Sequence, residues 1–185
     1  MQPSKPQSSS RRFSTFVTLA ACLLAAAPGA RGAIQSERLL AAIITRTPAP
    51  RLVAEGRQMQ QAEAAAARLP GARAFYGVGQ SMEPLYAPRT AIVVVAADFE
   101  KLQKGVTVVY LNSRGVRVAH AIVGETRGGY LVRGVNNAAE DPELVTPENY
   151  LGTVTQAYAP TDTTFRTDTE HRLAAKNLLR VSSRS

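Results

Sequence analysis

Only two histidines occur among the 185 residues, His120 and His171, so chemistry that needs an imidazole has few places to sit. His120 lies in the apolar run Val118-Ala119-His120-Ala121-Ile122-Val123. Upstream, Gly79-Gln80-Ser81-Met82-Glu83-Pro84 follows Ala74-Phe75-Tyr76-Gly77-Val78, which places a serine where extended chain gives way to a turn. Downstream, Asp141 stands in a polar loop. A serine hydroxyl is a poor nucleophile until a base takes its proton as it attacks. Histidine suits that task because its ordinary titration lies near neutral pH. A carboxylate on the other ring nitrogen fixes the tautomer and stabilises the imidazolium. The three side chains therefore make a candidate acyl-transfer set, with Ser81 as nucleophile, His120 as base and Asp141 as orienting acid. Backbone N–H groups around Gly79–Ser81, together with the Gln80 side chain, are candidates to hold an oxyanion. Composition alone does not separate this reading from plainer ones. Ser81 could be a turn serine, His120 a satisfied core histidine, and Asp141 before Pro142 the start of a turn.

The elements that must hold these groups read as strands. Ala91–Ala97, Val106–Leu111, Val116–Val123, Gly129–Val135 and Tyr150–Ala159 are β-prone, and Asn112-Ser113-Arg114-Gly115 between two valine-rich runs predicts a hairpin. Residues 72–160 are thus expected to form a compact antiparallel β domain carrying the site. Gly105 and Gly134 read as turn or bulge glycines, and Asn136-Asn137 as a tight turn. Residues 33–71 read as a helical segment. Ser36 is placed to cap a short helix through Leu39, Leu40, Ile43 and Ile44, and Thr47-Pro48-Ala49-Pro50 interrupts it. A second, alanine-rich helix is expected from about Arg51 to Leu69, packed on the surface of the main domain, with Glu55–Gln61 as a solvated face. In the tail, residues 161–185, Thr167 and Glu170 form a capping box before Leu173, Ala174, Leu178 and Leu179.

Residues 1–32 have the layout of an export signal. A basic start ends in Arg11-Arg12, Phe13–Ala27 is free of charge, and Pro28-Gly29-Ala30-Arg31-Gly32 supplies small residues for cleavage before Ala33. The uncharged run is short of the roughly 20 residues of a spanning helix, though a retained short anchor is an alternative. Leu19-Ala20-Ala21-Cys22 resembles a lipoprotein acylation box, and Ser10-Arg11-Arg12 resembles a twin-arginine signal. An extracytoplasmic location, periplasmic or membrane-associated and facing outwards, is expected by any of these routes.

Charge and cysteine content narrow the function classes. The net charge is +8, but residues 1–32 contribute four basic side chains and no acid, leaving 8 − 4 = +4 for the remainder. No basic run with interleaved aromatics remains, which argues against nucleic acid as a partner. The basic excess instead suits solubility or attraction to a membrane surface. Cys22 is the sole cysteine and falls in the apolar leader, so neither a disulfide nor a thiolate metal site is expected. No phosphate loop, dinucleotide fingerprint or metal-ligand spacing occurs, and no cofactor is expected.

Four blocks resemble the type I signal peptidases and their relatives, the self-cleaving LexA-type repressors. Gly79-Gln80-Ser81-Met82-Glu83-Pro84 is similar to that family's Gly-x-Ser-Met-x-Pro signature. Leu102-Gln103-Lys104-Gly105-Val106-Thr107-Val108-Val109-Tyr110 is similar to its Leu-x-x-Gly-Asp-x-Val-Val-Tyr strand. Val118–Val123 resembles the histidine segment of the archaeal and eukaryotic-type members, which use histidine where most bacterial ones use lysine. Arg133-Gly134-Val135-Asn136-Asn137 with Asp141 and Tyr150-Leu151-Gly152-Thr153-Val154 resembles the closing block. The four occur in family order over about residues 74–158. The resemblance implies a mainly β, signal-peptidase-like fold and serine endoproteolysis on the outer side of a membrane, cutting exported polypeptides after small residues. It implies Ser81 as nucleophile, His120 as general base, Asp141 as acidic partner, and Met82 and Pro84 as residues that shape the substrate cleft. Four departures stand out. Val135 and Val106 replace aspartates, Ala121 replaces an arginine, and Gly79 stands where many members place an oxyanion-binding serine. Val135 and Ala121 motivate an alternative in which a catalytically silent relative binds a peptide or partner through the same cleft. The repressor alternative needs a DNA-binding domain upstream, for which residues 34–70 are too short and too rich in alanine.

Overall fold

The computed structural model describes residues 28–161, with side chains from residue 36 onward. Strands dominate. In chain order the elements are helix α1 (Pro28–Arg46), β1 (Arg51–Val53), α2 (Gln58–Ala66), β2 (Arg73–Tyr76), β3 (Ala91–Val95), a 3₁₀ turn (Phe99–Lys101), β4 (Thr107–Leu111), β5 (Arg117–Thr126), β6 (Gly129–Arg133) and β7 (Tyr150–Pro160). They form one curled, seven-stranded sheet ordered β2-β3-β7-β4-β5-β6, with β1 joining β7 in parallel and every other pair antiparallel. The mainly β, antiparallel class expected from the valine-rich runs is what the chain adopts.

The long strand β7 ties the sheet together. Its first residues pair with β4, its middle with β3 and its last with β1. The Asn112–Gly115 break is a hairpin turn as predicted: Asn112 Oδ1 accepts from the N–H groups of Arg114 and Val116, closing the turn between β4 and β5. The curl of the sheet gives two main apolar clusters. One gathers Met82, Tyr86, Ile92, Val94, Val109, Val154 and Ala157. The other gathers Leu102, Val108, Tyr110, Ile122, Tyr130, Val132 and Val145.

The N-terminal segment departs from expectation in three ways. Ser36 is no cap, because α1 is already helical from Pro28 and Ser36 sits exposed inside it. Arg51 does not begin a helix: Pro48 and Pro50 leave the chain extended, and residues 51–53 add a strand to the sheet. The alanine-rich helix begins only at Gln58 and packs Ala62 and Ala66 on Ala91, Val93 and Tyr158. Gln58, expected on a solvated face, is 1% exposed, and its Oε1 has no hydrogen-bond partner.

Helix α1 is fastened to the loop before β4. Arg46 donates to the Lys104 carbonyl and to Gln103 Oε1, and the Thr47 and Thr107 hydroxyls pair at 2.8 Å in a buried setting. Gly105 is what permits this approach. Its φ is +90°, and a Cβ there would lie 2.5 Å from the Ala42 carbonyl carbon. Leu39, Ile43 and Ile44 then pack against Leu85, Ala121 and Val135. Among the described residues no helix is long and apolar enough to cross a membrane. Phe13–Ala27, expected to be the apolar part of an export signal, with Cys22, and the tail with Thr167, Glu170 and His171 lie outside the described residues.

Candidate active site

The nucleophile candidate sits on the link between β2 and β3. After β2 the chain enters a series of turns through residues 79–86, in which Leu85 and Tyr86 donate their N–H groups to the Met82 carbonyl. Met82, Leu85 and Tyr86 are all buried, so their side chains pin this segment to the core while Ser81 stays partly exposed. The Glu83–Pro84 peptide is cis. The Tyr86 hydroxyl donates to the Pro48 carbonyl, which also ties the segment to the chain leaving α1.

His120 lies in β5 opposite Val108 of β4 and is 6% exposed. A buried imidazole needs partners on both nitrogens, and both are satisfied. Its Nε2 is 2.8 Å from Ser81 Oγ, and its Nδ1 is 2.5 Å from Asp141 Oδ2. Asp141 is placed by the backbone beyond β6, where its N–H donates to the Val132 carbonyl at 2.9 Å. Since an aspartate can only accept from Nδ1, the proton belongs on that nitrogen. That leaves Nε2 free to accept the Ser81 hydroxyl proton. The three side chains singled out from the sequence, 39 and 21 residues apart along the chain, thus form one continuous relay.

Gly134 explains how the serine reaches the strand. It follows β6 beside His120, and a Cβ there would fall 2.6 Å from the Ser81 carbonyl oxygen and 2.8 Å from Ser81 Cβ. The sequence reading as a turn glycine missed this, because the constraint is a long-range backbone approach. Asn136 clamps the same contact. Its N–H donates to the Ser81 carbonyl at 2.8 Å and its Nδ2 to the Gln80 carbonyl at 3.2 Å. Asn136 also lies in the tight turn expected there, which Asn137 closes by donating its N–H to the Gly134 carbonyl at 3.0 Å.

The candidate cleft residues fare differently. Gly79 and Gln80 are exposed beside Ser81. A Cβ at Gly79 would meet nothing within 4 Å. Among the described residues the Ser81 N–H has no acceptor, which leaves it available to an oxyanion. Met82, at 5% exposure, is part of the core cluster beside the serine. Pro84 is half-buried.

Three positions that differ from the signal-peptidase pattern the sequence resembles, Ala121, Val135 and Val106, lie on packed surface. Ala121 is fully buried and, with Val135, lies against Leu85 and the apolar face of α1. Val106 packs on the cluster around Tyr110. No family model, curated protein or solved structure matches the chain.

Proposed function

We propose that the chain is an exported serine endopeptidase of the signal-peptidase type, cleaving exported or membrane-associated polypeptides after small residues. The observation that carries this reading is the 2.8 Å contact between Ser81 Oγ and His120 Nε2, continued to Asp141 at 2.5 Å. The family resemblance of the four sequence blocks supplies the substrate class.

In this reading Ser81 Oγ attacks a peptide carbonyl carbon as His120 Nε2 takes the hydroxyl proton. Asp141 Oδ2 keeps hold of Nδ1–H and stabilises the imidazolium. The carbonyl oxygen, now an anion, accepts from the Ser81 N–H. The C–N bond breaks as the imidazolium returns its proton to the departing amine. Water then attacks the acyl-serine ester, His120 takes one of its protons, and that proton returns to Ser81 Oγ as the acid leaves. The relay is complete without the aspartate that Val135 replaces.

A second reading, a silent peptide-binding relative, is favoured by Gly79, which offers no hydroxyl to the oxyanion. Incubation of the protein with a peptide bearing Ala-x-Ala separates the two. Cleavage that disappears in both Ser81→Ala and His120→Ala is expected, and full activity in either variant overturns the assignment.

A further inference from the structure

The carboxylate that holds His120 has another donor on the same oxygen. Tyr110 lies in β4, in register with Val118 of β5 and Tyr150 of β7, and is 2% exposed. Its ring belongs to the apolar cluster around Val108 and Ile122. Its hydroxyl leaves that cluster and donates to Asp141 Oδ2 at 2.5 Å. Asp141 Oδ2 therefore accepts from Tyr110 and from His120 Nδ1 together.

We propose that Tyr110 is a positioning residue of the relay, acting through Asp141 to select which carboxylate oxygen faces the imidazole and to moderate its basicity. This rests on the peptidase reading of the site. A carboxylate held by one donor can turn about its Cβ–Cγ bond, whereas two donors converging on one oxygen fix its plane. A short bond to an anion also draws charge away from the Nδ1 side. Asp141 then stabilises the imidazolium formed during attack less strongly than a bare carboxylate would, and Nδ1–H stays on the ring. The phenol is suited to this task. Burial first, then the hydrogen bond to Asp141 and the nearby negative charges of Asp141 and Glu143, push it well above its ordinary range, so it stays a donor. Tyr110 from β4 bears on the imidazole through this oxygen of Asp141, and Glu143, in the same loop after β6, acts on the phenol.

Tyr110→Phe keeps the buried ring and removes only the hydroxyl. The expected result is a fall of about tenfold or more in kcat, the scale of a lost hydrogen bond to a charged group, with KM unchanged. The charge left on Asp141 then acts on His120 alone, so the acid limb of kcat/KM moves to higher pH. With only two histidines in the chain, the His120 ring is easily followed by nitrogen-15 NMR. Its titration midpoint is expected to rise in Tyr110→Phe, and to fall when 3-fluorotyrosine, a stronger donor, occupies position 110. In an Asp141→Asn background Tyr110→Phe is expected to change nothing further. An unmoved His120 titration in both replacements, or losses in Asp141→Asn and Tyr110→Phe that simply add, overturns the proposal. The NMR readout needs no substrate, so it decides the role of Tyr110 even if the wild-type protein cleaves no peptide and the peptidase reading falls.

Discussion

At the scale of single residues the site is a set of matched hydrogen-bonding roles, and each match predicts a specific failure. Asp141→Asn presents an amide in place of an acceptor-only carboxylate and allows His120 to hold its proton on the wrong nitrogen. A loss of about 10³-fold or more in kcat is expected, with binding of a substrate peptide retained. Gly79→Ser runs in the opposite direction. A Cβ there meets nothing within 4 Å, so a serine fits without displacing its neighbours. Its hydroxyl can add an oxyanion donor that the chain now lacks, and kcat is expected to rise, up to about tenfold. One such donor is worth about a hundredfold or more where it is fully built in. Steady-state kinetics on a single peptide measures both effects. The grouping of Ser81, His120 and Asp141 was legible because each residue type is scarce or flanked by a telling neighbour. Tyr110 and Asn136 were not, because their partners lie 31 and 56 residues away along the chain and neither residue type announces a long-range contact.

At the scale of elements, close backbone approaches position the relay. Gly134 lets the Ser81 turn rest on the end of β6, so Gly134→Ala must push the two apart. Catalysis is expected to drop by more than a hundredfold while the fold loses about 1–3 kcal/mol, measured by denaturant melts alongside kinetics. The loop that carries Asp141 has its own tether. The Ser113 hydroxyl and N–H both donate to Glu143, linking that loop to the β4–β5 turn. These two bonds hold the Glu143 carboxyl below its ordinary value of 4.5, the side-chain bond first. A carboxylate lowered by folding keeps its contact above its unfolded pKa and loses it as pH falls through the folded one. The Ser113 amide resonance is therefore expected to titrate with a midpoint below 4.5. A midpoint at or above that value would remove the tether from the account. Strand identities were readable from valine runs and turn residues, and the hairpin from Asn112–Gly115. The strand at Arg51–Val53 was not, since three residues carry no period and their pairing with β7 is set only once the sheet exists.

At the scale of the whole molecule, α1 and the sheet form one packed unit, and this accounts for two of the differences from the signal peptidases that the sequence resembles. Ala121 and Val135 face Leu39, Ile43 and Ile44, so a long charged side chain has no room there. Ala121→Arg, which introduces the arginine of the resembling family, is expected to destabilise the protein by more than about 3 kcal/mol through overpacking and a buried unpaired charge. Ile43→Ala is expected to cost about 2–4 kcal/mol by opening a cavity under the same helix. Thermal melts distinguish these from surface substitutions on α1, for which little change is expected. All of this packing serves one arrangement, in which Ser81 is held partly exposed against a buried histidine base. The most direct test is mass-spectrometric mapping after exposure of the purified protein to a serine-reactive acylating probe. Covalent labelling at Ser81, absent in Ser81→Ala and strongly slowed in His120→Ala, is the predicted result. An unlabelled Ser81 in the wild-type protein, or labelling that proceeds equally well without His120, would contradict it.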